Sequence, residues 1–253
     1  MKVSAVIVAL NEEDRIEACL ESVSFCNEIV VVDAGSADGT VEKAKRYTDK
    51  VVYHEWESFR SQRAYAISLA TQPWILLIDA DERVTGELKS EILALPNDPP
   101  EEGFYLRRDF YFMGRLMRHG GAWPDWVLRL FRADRFSLGG TETHDKVEVP
   151  GAAGKLAGPL KHYSYRNLSD YFQRFNKYTT LGAEERHKRG VKPGFIQNFR
   201  VPYEFLMRYV IRGGFLDGYP GFVYALISSF YAWTKYAKLK EMMDHGREKL
   251  PEP

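Results

Sequence analysis

Apolar residues in the first eighty positions alternate between two periods. VSAVIVAL (Val3 to Leu10) is a continuous β-branched run, the pattern of a strand buried on both faces. NEEDRIEACLESV, which follows, places Ile16, Cys19, Leu20 and Val23 on one helical face. EIVVVDAG (Glu28 to Gly35) repeats the strand, and SADGT (Ser36 to Thr40) leads into a polar helix ending near Tyr47. VVYHEW predicts a third strand, SQRAYAISLATQ a third helix and WILLIDAD (Trp74 to Asp81) a fourth strand. This β-α-β-α-β-α-β order implies an α/β fold with a mostly parallel sheet, right-handed crossovers and flanking helices. Ligands of such sheets bind outside the carboxyl ends of the strands. That singles out Asn11, Glu12, Asp33, Asp79 and Asp81, each of which ends or follows an apolar run.

Beyond Asp81 the periodicity weakens. A short helix (Glu87 to Leu95) is followed by a Pro-rich break, PNDPPEEG, and then by FYLRRDFYFMG and WVLRLFRADRF, which read as strands or long loops. From about Leu168 the pattern turns helical, most clearly in the amphipathic stretch LSDYFQRFNKYTTLGAEERHKRG. Residues 218–234, GYPGFVYALISSFYAWT, contain no charge. These seventeen residues fall at the bottom of the length a membrane-spanning helix needs, and two Gly and a Pro open the run. The segment therefore reads as a buried or membrane-surface hairpin, or as a contact between copies of the chain, in preference to a spanning helix.

Composition adds three constraints. With 253 residues, 45% hydrophobic and 14% aromatic, the chain buries a full core and is not disordered. Its 35 basic residues balance 35 acidic ones, which argues against bulk nucleic-acid binding. The balance hides an asymmetry: residues 1–154 hold 18 Lys and Arg against 26 Asp and Glu, and the remainder holds 17 against 9. The C-terminal part is thus the candidate for meeting an anionic surface. The two cysteines, Cys19 and Cys26, suggest neither a disulfide framework nor a zinc site and fit a reducing compartment. The N-terminus meets acids directly after its apolar run and reads as a strand, not a signal peptide, so a cytoplasmic protein is expected.

The strongest chemical signal is IDADE, Ile78 to Glu82. Two carboxylates two residues apart at a strand terminus, Asp79 and Asp81, can both reach a hard cation such as Mg²⁺ or Mn²⁺, which in turn bridges substrate phosphates. Asp-x-Asp alone is also a common acidic turn. Its setting strengthens it: Asp33 ends the second strand and is followed by Gly35, Ser36, Asp38 and Gly39, which supply turn chemistry and exposed amides. A carboxylate there accepts hydrogen bonds from a ribose or a base. A plain Asx-turn and helix cap suits Asp38 better than Asp33, and Asn11 with Glu12 also suits a helix N-cap.

These segments, VSAVIVALNEE, EIVVVDAGSADGT, QRAYAISLA and WILLIDADE in that order and spacing, resemble the family 2 glycosyltransferases, enzymes with a GT-A type nucleotide-sugar-binding fold. The likeness covers about the first ninety residues. Farther on, WPDWVLRLFR, THDKVEVPG, KHYSYRNLSDY and RGGFLDGYPG resemble the bacterial branch that adds sugars to the lipopolysaccharide inner core. Two departures stand out: Ala64 follows Gln-Arg where that branch usually has Asn, and His144-Asp145 stands where His-Glu is commoner.

The resemblance implies roles for matching positions. Asp33 would contact uracil or ribose, Asp79 the ribose, and Asp81 the metal on the diphosphate. Leu10, Asn11, Glu12 and Ala80 would line the nucleotide pocket, and Arg63 would approach the phosphates. The implied chemistry is a single inverting displacement, which needs a carboxylate base for the acceptor hydroxyl and a cation for the departing diphosphate. Asp145, in the Gly-flanked polar turn GGTETHDKVEVPG beside His144, is the first candidate base, followed by Glu142 and Asp125. His162 is a candidate third metal ligand, Arg129 a phosphate or acceptor contact, and Trp123 and Trp126 stacking platforms for acceptor sugars. Bland readings compete with these: a structural His beside aromatics, an Arg stem packed among aromatics, and core tryptophans.

The expectation is therefore a GT-A type domain over residues 1–165 and a mainly helical C-terminal extension over 166–253. The expected activity is metal-dependent hexosyl transfer from a UDP-sugar to a lipopolysaccharide-core or other lipid-linked saccharide. An anionic membrane surface at the inner face of the cytoplasmic membrane and a second copy of the chain are the further expected partners. A sugar nucleotidyltransferase would share the acidic nucleotide site but calls for a Gly-rich basic loop after strand one, where this chain has ALNEE. A non-catalytic sugar-nucleotide scaffold would not need Asp33, Asp79 and Asp81 together.

Overall fold

A computed structural model describes residues 1–140 and 145–245. The chain divides into two compact units, one of residues 1–109 and 124–164, the other of residues 110–123 and 165–253.

The first unit carries the alternation read from the sequence. β1 (Val3–Ala9), α1 (Ile16–Ser22), β2 (Glu28–Asp33), α2 (Thr40–Ala44), β3 (Val51–Tyr53), α3 (Phe59–Ser68) and β4 (Trp74–Asp79) follow one another in order. The chain continues into β5 (Glu82–Val84), α4 (Gly86–Ala94), β6 (Gly103–Phe112), whose last three residues belong with β7 (Arg115–Leu116) to the second unit, and then β8 (Asp125–Arg132), β9 (Ser137–Gly140), β10 (Asp145–Glu148) and β11 (Ala153–His162). Among the described residues the main sheet runs β3-β2-β1-β4-β8-β6-β11-β5. β1 pairs in parallel with β2 and β4, and β2 with β3. The later strands extend the sheet in antiparallel fashion, β8 against β4 and β6, and β5 against β11. β9 and β10 form a separate antiparallel pair. The two segments read as strands or long loops, FYLRRDFYFMG and WVLRLFRADRF, are therefore the strands β6 and β8.

β1 is central because almost every residue in it is apolar and buried, so both its faces need cover. Successive side chains point to opposite faces. Val3, Ala5 and Ile7 pack with Ile16 and Leu20 of α1 and with Leu88 and Ile92 of α4. Val6, Val30 and Val32 pack with Ala66 and Ile67 of α3. Helix α4 is held by its N-cap: the Thr85 hydroxyl accepts from the Leu88 N–H at 3.3 Å and donates to the Pro159 carbonyl at 2.8 Å. Gly158 lets β11 approach that helix, since a Cβ there would overlap the Leu88 backbone.

Glu28 closes the opposite end of the parallel strands. Its carboxylate pairs with Lys50, accepts from the Ser4 hydroxyl, and takes the Thr71 N–H at 2.7 Å and hydroxyl at 2.9 Å. Burial alone would raise its pKa, but Lys50, Ser4 and Thr71 outweigh burial and lower it from 4.5 to about 2. A carboxyl depressed on folding stabilises the fold above its unfolded pKa, and that stability is lost as pH falls toward the folded value. Urea unfolding of the wild type and of Glu28→Gln should thus differ most at neutral pH and converge as pH falls from about 5 to 2. A gap that stays constant over that range would contradict this assignment.

The second unit is helical, with α5 (Leu168–Lys188), α6 (Arg200–Phe205) and α7 (Gly218–His245). A 3₁₀ turn at Phe195–Phe199 runs into α6, and a π-helical stretch at Leu206–Ile211 continues from it. α5 coincides with the amphipathic pattern and starts at Asn167, whose side chain accepts from the Asp170 N–H at 2.9 Å. Residues 218–234 do not form a hairpin; they are the first part of α7. Pro220 falls in its first turn, where no backbone donor is required, and so does not break it. Among the described residues no helix is long and apolar enough to cross a membrane. The unit's core gathers Phe110, Phe112, Met117, Tyr171 and Ile227 around Tyr165 and Tyr224. A two-residue turn at Met113 and Gly114, both at positive φ, returns the chain from the end of β6 into β7.

Candidate active site

The register places the candidate residues side by side. Ala9 pairs with Asp33 and Val8 with Asp79, so β1, β2 and β4 end together and release Leu10, Asn11, Asp33 and Asp79 at one edge. Leu10 is exposed there. Asn11 adopts φ 55°, a left-handed conformation that Asn tolerates better than most residues. Its N–H donates to the Ser36 hydroxyl at 2.8 Å and its Oδ1 accepts from the Ala37 N–H at 2.9 Å. The Glu12 N–H donates to the Thr40 hydroxyl at 2.8 Å, and Glu13 Oε2 accepts from the Gly39 N–H at 2.7 Å. The loops after β1 and β2 are therefore laced into one rigid rim.

Asp33 is buried, and its carboxylate accepts from the N–H groups of Gly35 and Ser36, both at 2.8 Å, and from the Ser36 hydroxyl at 2.5 Å. The Asx-turn reading, which the sequence favoured for Asp38 over Asp33, thus applies to Asp33 as well. Asp38 closes a second turn, accepting from the Thr40 N–H at 3.0 Å and from its hydroxyl.

A charge network occupies the end of β4. Arg63 from α3 donates to Asp79 Oδ1 at 2.6 Å, and Arg129 from β8 donates to Oδ2 at 2.5 Å. Burial would raise the Asp79 carboxyl, but the Arg129 and Arg63 guanidinium groups outweigh it and hold the acid well below the usual carboxylate range. Beneath it lies Glu82, fully buried, whose Oε2 accepts from the Asp79 N–H at 3.0 Å. Glu82 Oε1 takes Arg129 at 3.1 Å and Arg108 of β6 at 3.4 Å, and Arg108 also grips Asp125 at 2.7 Å. Arg63, Asp79, Arg129 and Asp125 therefore meet as the sequence candidates they were, but around Glu82 and Arg108, which sequence reasoning passed over. The signal for Glu82 was its place in IDADE at a strand end. Arg108 carried no signal beyond its place in the charged run Arg107-Arg108-Asp109 within a strand of mostly apolar residues.

Asp81 has different neighbours. Its Oδ2 lies 3.6 Å from His162 Nε2 at the end of β11 and 4.0 Å from Arg15, which is itself 3.6 Å from Glu12. The Tyr163 N–H donates to the Asp81 carbonyl at 2.9 Å, which fixes this approach of residues 81 sequence positions apart. Ala80, between the two acids, is buried and can offer a ligand only its backbone. Among the described residues no three His, Cys, Asp or Glu side chains stand together as a metal cage. What fits a divalent cation is the Asp81–His162 pair, an oxygen and a nitrogen donor already side by side, with substrate phosphates and water to complete the shell. Asp79, expected as a second ligand, is engaged by two guanidinium groups instead. Cys19 is no nucleophile: burial, and then the Glu82, Asp81 and Asp79 carboxylates, push its thiol well above its ordinary pKa.

Asp145 begins β10, its backbone in register with Gly140. Its side chain, together with Glu142 and His144, lies outside the described residues. Asp125 is half-exposed and engaged by Arg108, and Trp126 carries Lys155 Nζ 4.9 Å over its ring. Trp123 is exposed in the second unit.

The molecule is thus an α/β protein whose mixed sheet gathers acidic and basic side chains at the carboxyl ends of its parallel strands. The chain belongs to glycosyl transferase family 2, whose family model matches residues 4–151. Along 94% of its length it is 32% identical to the lipopolysaccharide core biosynthesis glycosyltransferase LpsC of Rhizobium meliloti, 92% of which is covered. Among solved structures it is similar to S. aureus TarS 1-349, with 15% identity, a TM-score of 0.48, and 98% of this chain and 91% of that one covered. It is also similar to Mycobacterium tuberculosis glucosyl-3-phosphoglycerate synthase in complex with Mn²⁺ and UDP-glucose, with 21% identity, a TM-score of 0.36 and 44% of each chain covered.

Proposed function

We propose that this glycosyltransferase moves a hexose, with inversion, from a UDP-sugar to a saccharide of the lipopolysaccharide core or another lipid-linked acceptor. The observation that carries the donor half is Asp81 beside His162 at the edge where β1, β2 and β4 end. The acceptor half rests on the similarity, along almost the whole chain, to a lipopolysaccharide core glycosyltransferase. In this reading residues 1–165 bind the nucleotide sugar and carry the chemistry, and residues 166–253 serve contact with a membrane or a second copy at the cytoplasmic face.

Leu10, Asn11, Glu12 and the Ala80 backbone line the nucleotide pocket, with Asp33 toward uracil or ribose and Asp79 toward the ribose. Arg63, and Arg129 behind it, hold Asp79 in place and supply positive charge near the diphosphate. Asp81 and His162 would hold a divalent cation, Mg²⁺ or Mn²⁺, which would supply positive charge for the leaving diphosphate. Asp145 takes the proton of the acceptor hydroxyl as the new glycosidic bond forms.

Calorimetric titration of UDP into the protein tests the donor site. Binding is expected with Mn²⁺, should fall at least about tenfold with EDTA, and should be lost in Asp81→Ala. Metal-independent binding, or preference for GDP or CDP, would overturn the corresponding part of the reading.

A further inference from the structure

The second unit exposes large apolar side chains in an ordered row. Phe195, Phe199, Tyr203, Leu206 and Val210 recur at spacings of three or four through the 3₁₀ turn, α6 and the π-helical stretch, and every one of them is exposed. Phe195 and its neighbour Ile196 are 78% and 75% exposed, more than any other large apolar residue described. The row ends in a turn that presents Phe215 and Leu216 outward. That turn is fixed from behind: buried Asp217 accepts from the Arg118 N–H at 3.1 Å and the His119 N–H at 2.8 Å, and lies 2.9 Å from His119 Nδ1.

The charge around this row has one sign. Residues 188–212 contain Lys188, Arg189, Lys192, Arg200, Arg208 and Arg212 against Glu204 alone. Glu204 is flanked by Arg200 at 3.7 Å and Arg208 at 3.6 Å, so it presents no free acidic face. An apolar stripe bordered by Lys and Arg is the composition of a helix that lies in a bilayer interface with its basic groups among anionic headgroups. A second copy fits less well, because a two-fold contact through this face would set basic patch against basic patch.

We infer that residues 195–216 form a membrane-seating surface that inserts its apolar row into the interface of an anionic bilayer. The uncharged 218–234 segment, the first part of α7, turns Ala225, Ile227 and Ser229 inward and exposes Tyr219, Phe222 and Phe230 at wider intervals than the row. The inference deepens the lipid-linked acceptor reading, since it brings the enzyme to the surface where such an acceptor resides.

Flotation of the full chain with vesicles tests it. The protein should float with phosphatidylcholine vesicles that contain phosphatidylglycerol, much less with phosphatidylcholine alone, and less as salt rises. Combined Phe195→Ser, Ile196→Ser and Phe199→Ser should weaken partitioning at least about tenfold. Because these side chains are exposed, UDP binding by calorimetry should not change. A wild type that ignores anionic vesicles, or a triple variant that floats equally well, overturns the inference. A concentration-dependent dimer in sedimentation that the triple variant disperses, without vesicle binding, overturns it in favour of a second copy. Failure of UDP to bind, with flotation intact, would count against the donor reading and leave the surface standing.

Discussion

Replacing Glu82 by alanine is expected to lower the stability of the fold by about 3–5 kcal/mol. The carboxylate is fully buried and serves three donors at once, the Asp79 N–H, Arg129 and Arg108. Its removal leaves Arg129, itself buried, with one carboxylate partner fewer in a place water does not reach. Taking one partner from a buried charge network costs more than the pair itself contributed. That loss is a large share of the 5–15 kcal/mol typical of a whole domain. Glu82→Gln, which keeps an acceptor for the Asp79 N–H but not the charge, should fall between the two. Urea unfolding at neutral pH measures all three proteins. A loss below about 1 kcal/mol in Glu82→Ala would mean that the network relaxes around the gap and that Glu82 is not its keystone.

Asp145→Asn is expected to reduce turnover by about a hundred- to ten-thousand-fold, the range over which a positioned base contributes. The amide has the shape of the carboxylate but cannot take the acceptor's proton. UDP affinity should stay within about twofold, because a base that acts on the acceptor has no part in holding the donor. Single-turnover transfer together with UDP calorimetry separates these effects. Lost turnover with intact UDP binding supports the assignment. Unchanged turnover excludes Asp145 and moves the role to Glu142, for which Glu142→Gln is the same test. Asp125 is the weaker substitute, because Arg108 already engages its carboxylate at 2.7 Å.

Much of the first unit was legible because its signals are local. A run such as VSAVIVA has one stable solution, a strand covered on both faces, and the 3.6-residue spacing of Ile16, Cys19 and Leu20 has another. Once four such strands are parallel, their carboxyl ends meet by topology, so Asn11, Asp33, Asp79 and Asp81 could be named in advance as neighbours of one edge. The helical nature of α5 was equally plain, from its amphipathic period and its Asn167 cap.

The partners of those residues were decided in three dimensions. The sequence shows two acids at 79 and 81; only the fold shows that β8 inserts antiparallel between β4 and β6 and delivers Arg129 and Arg108 to Asp79 and Glu82. Charges 50 positions apart along the chain carry no mark of mutual contact, since long-range pairing depends on sheet order and not on local pattern. The sequence context of Asp33 does not reveal that its carboxylate also accepts from the Gly35 and Ser36 amides. Residues 218–234 read as a buried or membrane-surface hairpin, or a contact between copies, because composition reports apolarity but not what covers it; the fold makes them the first part of α7, with Ala225, Ile227 and Ser229 buried. The densest run of uncovered apolar side chains among the described residues of this unit lies in residues 195–216, since burial is a property of neighbours the chain must first bring together. Local periodicity thus determined the parallel strands and the edge on which the candidate site lies, and tertiary packing determined which charges neutralise one another there and which apolar surface is left to meet a partner.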